Sequence, residues 1–129
     1  MKGKHWLAGV LIVVAPLTGP VRAQDQQPGY IQMAELTVDP TQLESYKAAA
    51  REQIDAAIRV EPGVLVLYMV ADQDQPNHIH VFEMYKDTDA YKAHLESMHF
   101  KKYKSTNQPM VTSLNLVPMT PIALGSKLK

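Results

Sequence analysis

Residues 61–85 read EPGVLVLYMVADQDQPNHIHVFEMY. Glu61-Pro62-Gly63 ends whatever helix precedes it, because the residue before a proline is disfavoured in the helical region and glycine takes a turn without steric cost. Val64 to Ala71 then reads as a strand, Asp72 to Asn77 as a polar turn, and His78 to Tyr85 as the hairpin partner. The first of these strands is apolar at both alternating positions, unlike an antiparallel strand with one wet face. Helices of the same chain can cover only one side of the sheet, so a second copy is expected to cover part of the other, making a homodimer.

Upstream of this hairpin, Tyr30 to Val38 is rich in apolar and β-compatible residues and ends at Asp39-Pro40, an N-cap followed by proline at the first helical position. The helix expected over Pro40 to Arg59 places Leu43, Tyr46, Ala50, Ile54, Ala57 and Ile58 on one face. Downstream, Asp87, Thr88 or Asp89 can cap a second helix that carries Tyr91, His94, Leu95 and Met98 on one face. This helix continues or restarts through Phe100, Tyr103 and Lys104. After Asn107-Gln108-Pro109, residues Val111 to Met119 read as a fourth strand. The order strand, helix, strand, strand, helix, strand predicts an α+β fold of the ferredoxin-like, split β-α-β kind: one four-stranded antiparallel sheet with the helices on one face.

The chain's opening predicts a signal peptide over residues 1–23. Lys2 and Lys4 precede an uncharged apolar run from Trp6 to about Leu17, and Val21 and Ala23 occupy the small-residue places of a cut after Ala23. The run falls short of the ~20 residues needed to cross a bilayer, so no stable membrane anchor is expected after cleavage. Cleavage would leave 106 residues, the size of one domain: a leader over 24–29, a folded part over 30–119 and a tail over 120–129. The 13 basic and 13 acidic residues balance in the whole chain, but Lys2, Lys4 and Arg22 leave with the peptide, so the remainder is acidic by three. That charge and the absence of a basic stripe argue against a nucleic-acid partner. The chain has no cysteine, which excludes disulfides, thiolate metal sites and cysteine nucleophiles. Export without disulfides leans towards a bacterial periplasm.

Glu61-Pro62-Gly63 before an apolar strand, Glu83-Met84-Tyr85 closing the next, and Ala93-His94-Leu95 with His99-Phe100 on the helix that follows together resemble the antibiotic biosynthesis monooxygenase family. The similarity covers about Tyr30 to Met119. It implies a dimeric α/β-barrel and, for the quinol-monooxygenase-like branch, insertion of oxygen into an aromatic phenol or quinol with no cofactor. That branch commonly has Glu-x-Trp at the end of the third strand, where this chain has Tyr85. Haem-degrading members use an asparagine on the first strand, where this chain has Gln32.

On that resemblance the expected catalytic residues are His94, as the base that takes a proton from the substrate, and Glu83, on the same sheet face as Tyr85. Tyr68, Tyr85, Tyr91, Met98 and His99 are the expected wall of a pocket for a small aromatic or apolar ligand. Each has a plainer reading. His94 can be a core histidine bonded to a backbone carbonyl or to Glu83, and Glu83 can orient His94 or pair with a lysine or a helix end. His99 lies five residues after His94, about 140° around a regular helix, so the two share no ligand unless the helix breaks. His78 and His80 share a strand face, either as a metal-binding pair or as an edge or interface pair; no further ligands accompany them, and no metal is expected. A non-catalytic ligand-binding or stress protein of the same fold, or a haem or metal binder, are the alternatives. In an exported protein, cytosolic reduced nicotinamide and flavin are out of reach, so an oxygenase there would use its substrate's own electrons.

Overall fold

The computed structural model describes residues 29–128, together with 3 and 12–16. The leader expected over 24–29, apart from Gly29, and most of the signal peptide expected over 1–23 lie outside these described residues. The elements run β1 (Tyr30–Val38), α1 (Leu43–Val60), β2 (Val64–Ala71), β3 (His78–Tyr85), α2 (Thr88–Glu96), α3 (Met98–Asn107) and β4 (Val111–Met119). The sheet order is β2-β3-β1-β4, with every neighbouring pair antiparallel. This is the ferredoxin-like fold expected from the sequence, with four strands, three helices and an open sheet whose edges are β2 and β4. Among the described residues, no helix is long and apolar enough to cross a membrane.

All four strands fall where the hydrophobic pattern places them. The first helix departs from it at the start, where Asp39 caps a single 3-10 turn over Pro40–Gln42 by accepting from the Thr41 backbone N–H at 2.9 Å. Helix α1 then buries Tyr46, Ala50, Gln53 and Ala57. Ile58, expected on that face, is exposed, and the polar Gln53 is buried instead. The buried spacing of four, three and four residues is the stripe a 3.6-residue period lays against a sheet.

The second helix is two helices. Ser97 has extended backbone (φ −67°, ψ 148°), and its hydroxyl donates to the His94 carbonyl at 2.6 Å while accepting from the Phe100 N–H at 3.3 Å. A serine that bonds the neighbouring backbone competes with the helical ladder, so one side chain closes α2 and opens α3. Gly63 is required by a close approach: a Cβ there would stand 2.5 Å from the Ala90 Cβ of α2.

Gln32, Ala34, Leu36, Val81, Ile79 and Leu67 face the helices, and the main core joins Ala34, Leu36, Ile79 and Val81 to Val38, Tyr46 and Ala50. A register shift between Val64 and Val66 sets the phase of β2. From there Leu67 and Met69 point inward, whereas Tyr68 and Val70 lie on the outer sheet face beside Phe82 and His80.

Candidate functional site

Between the inner sheet face and the helices lies a cavity of about 610 Å³. Its apolar wall comes from Leu36, Leu67, Met69, Val81, Leu95 and Phe100, and Leu114 and Leu116 of β4 close one side while staying half exposed. Its polar groups are Gln32, Glu83, Gln53 and Asn107, with Tyr91 and Tyr103 between them and Lys104 on the α3 side. A site of this size, mostly apolar with a few convergent polar atoms, suits one small organic ligand.

Glu83 reaches the cavity through the strict alternation of β3, whose odd positions are buried. Its carboxylate accepts from Gln32 Nε2 at 2.8 Å and from the Tyr85 hydroxyl at 2.7 Å, while Tyr30 donates to Gln32 Oε1 at 2.9 Å. A buried carboxylate needs such donors, because burial disfavours charge that is not hydrogen-bonded. Burial holds the Tyr85 phenol well above its ordinary range, and the adjacent Glu83 carboxylate adds to the rise. Burial likewise raises Tyr46, Tyr91 and Tyr103. These phenols therefore keep their protons and do not serve as bases.

Two of the cavity's amides are incompletely bonded. Asn107 is 1 % exposed and has no partner for either amide atom, and the buried Oε1 of Gln53 has none either. Buried polar atoms are nearly always paired, so exceptions facing a cavity mark where a ligand's polar groups belong.

The expected site residues divide. Glu83 and Tyr91 line the cavity. Tyr85 sits behind Glu83 as its donor, and His94 is buried behind Gln53, whose Nε2 is 3.4 Å from the imidazole Nε2. His94 does not meet Glu83: its Nδ1 is 2.7 Å from Glu61 Oε2, and His99 Nε2 is 2.7 Å from the same oxygen. The break at Ser97 is what brings the two histidines onto one carboxylate. Met98 is 88 % exposed beside that break and lines nothing, and Tyr68, 49 % exposed, stands on the opposite sheet face. His80 Nε2 pairs with Asp72 Oδ1 at 3.0 Å, and His78 lies 3.8 Å from the other oxygen, so they form a surface cluster beside the β2–β3 turn on an interior strand, not at a sheet edge.

Sequence reasoning missed Gln53, Asn107 and Glu61. Gln53 was legible as the polar member of the stripe at positions 46, 50, 53 and 57. Asn107, at the last turn of α3, and Glu61, which reads as a turn residue, carry no local signal.

A family model described as antibiotic biosynthesis monooxygenase matches residues 29–106. A protein of Bacteroides thetaiotaomicron, solved under the name "putative antibiotic biosynthesis monooxygenase", is 44% identical over 78% of this chain and 95% of its own, with a TM-score of 0.74. Similarly named proteins of Nitrosomonas europaea (23% identical over 74% of this chain and 93% of theirs, TM-score 0.69) and Caulobacter crescentus (21%, 74%, 92% and 0.69) share the fold. No curated protein matches the chain. With the family pattern spanning most of the folded part and a near relative covering nearly all of it, the chain belongs to the antibiotic biosynthesis monooxygenase family.

Proposed function

We propose that the protein is an oxygenase that needs no cofactor and acts on a small aromatic phenol or quinol held in the cavity between sheet and helices. The observation that carries this reading is the composition of that cavity: apolar and aromatic walls around one carboxylate, Glu83, and two incompletely bonded amides, Gln53 and Asn107. Glu83 accepts the hydrogen bond of the substrate hydroxyl, which raises electron density in the ring, and the amides hold a second oxygen of the ligand. The electrons come from the substrate. For a phenol, one atom of O2 becomes a ring carbonyl, the other leaves as water with two substrate hydrogens, and the product is a quinone. His94, named above as the expected base, acts from behind the wall by fixing Gln53.

Oxygen consumption by the protein under air, with reduced quinols or electron-rich phenols, tests this. Wild type should exceed the buffer blank, and Glu83→Gln should fall by roughly 10²- to 10⁴-fold, the usual weight of a proton-transfer group. Uptake no faster than the blank overturns the catalytic reading. A second reading, ligand binding without turnover, is favoured by one observation, that His94 turns its Nδ1 to Glu61 and not to the cavity. It predicts thermal stabilisation by the same compounds with no oxygen consumed.

The functional unit is proposed to be a homodimer joined through the outer sheet face. Support comes from the apolar side chains on that face, with Tyr68 and Val70 exposed beside Phe82 on neighbouring strands.

A further inference from the structure

Glu61, His94 and His99 are the only group of three metal-ligating side chains brought together among the described residues, with one ligand atom from each within 4.8 Å of the others. We infer that they form a binding site for a divalent transition-metal ion, which lies outside the cavity, meets it through Gln53 and is not needed by the oxygenase reading. Two imidazoles and one carboxylate match zinc and its first-row neighbours, whose sites commonly take three protein ligands and leave a further position for water.

Two of the three ligand separations need little adjustment, and the two imidazole nitrogens, within 4.8 Å of each other, must close to about 3.3 Å. Both imidazole nitrogens stand 2.7 Å from Glu61 Oε2, as hydrogen bonds require. Around a tetrahedral ion with bonds of about 2.0–2.1 Å, ligand atoms lie roughly 3.3 Å apart, so the carboxylate oxygen must withdraw by less than 1 Å. Glu61 caps the end of α1 and His99 opens α3 at the Ser97 break, and both side chains keep some exposure where His94 has almost none, so this edge has more room to yield than His94 in the core.

An independent feature points the same way. A metal on His94 Nδ1 places the ring proton on Nε2, which must then donate to an acceptor, as ligating histidines regularly do. The atom facing Nε2 is the amide nitrogen of Gln53, at 3.4 Å, while its Oε1 is buried without a partner. The two ends of an amide are nearly the same size. A half-turn of that amide therefore presents Oε1 to Nε2–H, giving Oε1 a donor and His94 its acceptor while the NH2 takes the place Oε1 held.

Calorimetric titration of Zn2+ into the full chain, stripped with a chelator, tests the site. One ion per chain is expected. His99→Ala and Glu61→Gln, both at the yielding edge, should each abolish saturable binding, Gln53→Leu should weaken it roughly 10- to 100-fold, and His80→Ala should leave it unchanged. Circular dichroism confirms that each variant is folded, and either edge variant suffices if the other is not. Absence of saturable binding at zinc on the order of 1 mM overturns the inference. So does binding that survives in a folded edge variant or disappears with His80→Ala, which would place the ion on the His78, His80 and Asp72 surface.

Discussion

Asn107 is fully buried, faces the cavity and lies beside the Tyr103 phenol, with neither amide atom in a well-formed hydrogen bond. A buried polar group without a partner costs about 1–3 kcal/mol, so the folded chain carries that cost for as long as the cavity holds no ligand. Asn107→Leu replaces the amide by an apolar group of similar size. It should raise the free energy of unfolding by about 1 kcal/mol in a urea titration while reducing the thermal stabilisation given by a phenolic ligand. A variant that loses stability, or that keeps the full ligand response, would remove Asn107 from the site. The residue scale is also where the sequence says least. Glu83 and Tyr91 reach the cavity because strand alternation and helix spacing put them there, and those periods are local. Glu61 meets His94 across 33 positions of chain, and Asn107 becomes important only through the sheet beneath it. Long-range meetings of that kind have no periodicity to betray them.

The strands and their order were legible because period-two alternation, Asp39-Pro40 and Glu61-Pro62-Gly63 each state a boundary in neighbouring residues. The division of the second helix was half legible, as a run that continues or restarts, since a serine inside a helical pattern does not say where its hydroxyl bonds. Ser97 decides it by capping both helices. Ser97→Ala removes these two bonds and should lower stability by about 1 kcal/mol, read from the urea midpoint at constant slope. An unchanged midpoint would mean that packing alone holds the break. If the alanine instead fused α2 to α3, His94 and His99 would swing to about 140° apart and could no longer share Glu61.

At the scale of the molecule, the open sheet leaves its outer face uncovered by the chain's own helices. Burying apolar area there gains about 25 cal/mol per Å², so a second copy placing the same face against it would be driven by Tyr68, Val70 and their neighbours. Val70→Lys puts a charge on that face while touching nothing on the cavity side. It should halve the mass measured by light scattering after gel filtration and leave the circular dichroism unaltered. A wild-type chain that is already monomeric, or a Val70→Lys variant that stays dimeric, would overturn the assignment of this face.

The cavity has one more property, which follows from where β4 lies. Its half-exposed wall, Leu114 and Leu116, belongs to an edge strand, paired only with β1. Occupancy and local order are therefore linked equilibria. A ligand that shields these leucines stabilises the strand that carries them by RT ln(1 + [L]/Kd), and anything that frays β4 weakens the ligand's hold by the same amount. The edge of the sheet thus acts as a thermodynamic gauge of the cavity, and ligand binding can be followed there as slowed amide exchange, whatever chemistry takes place inside.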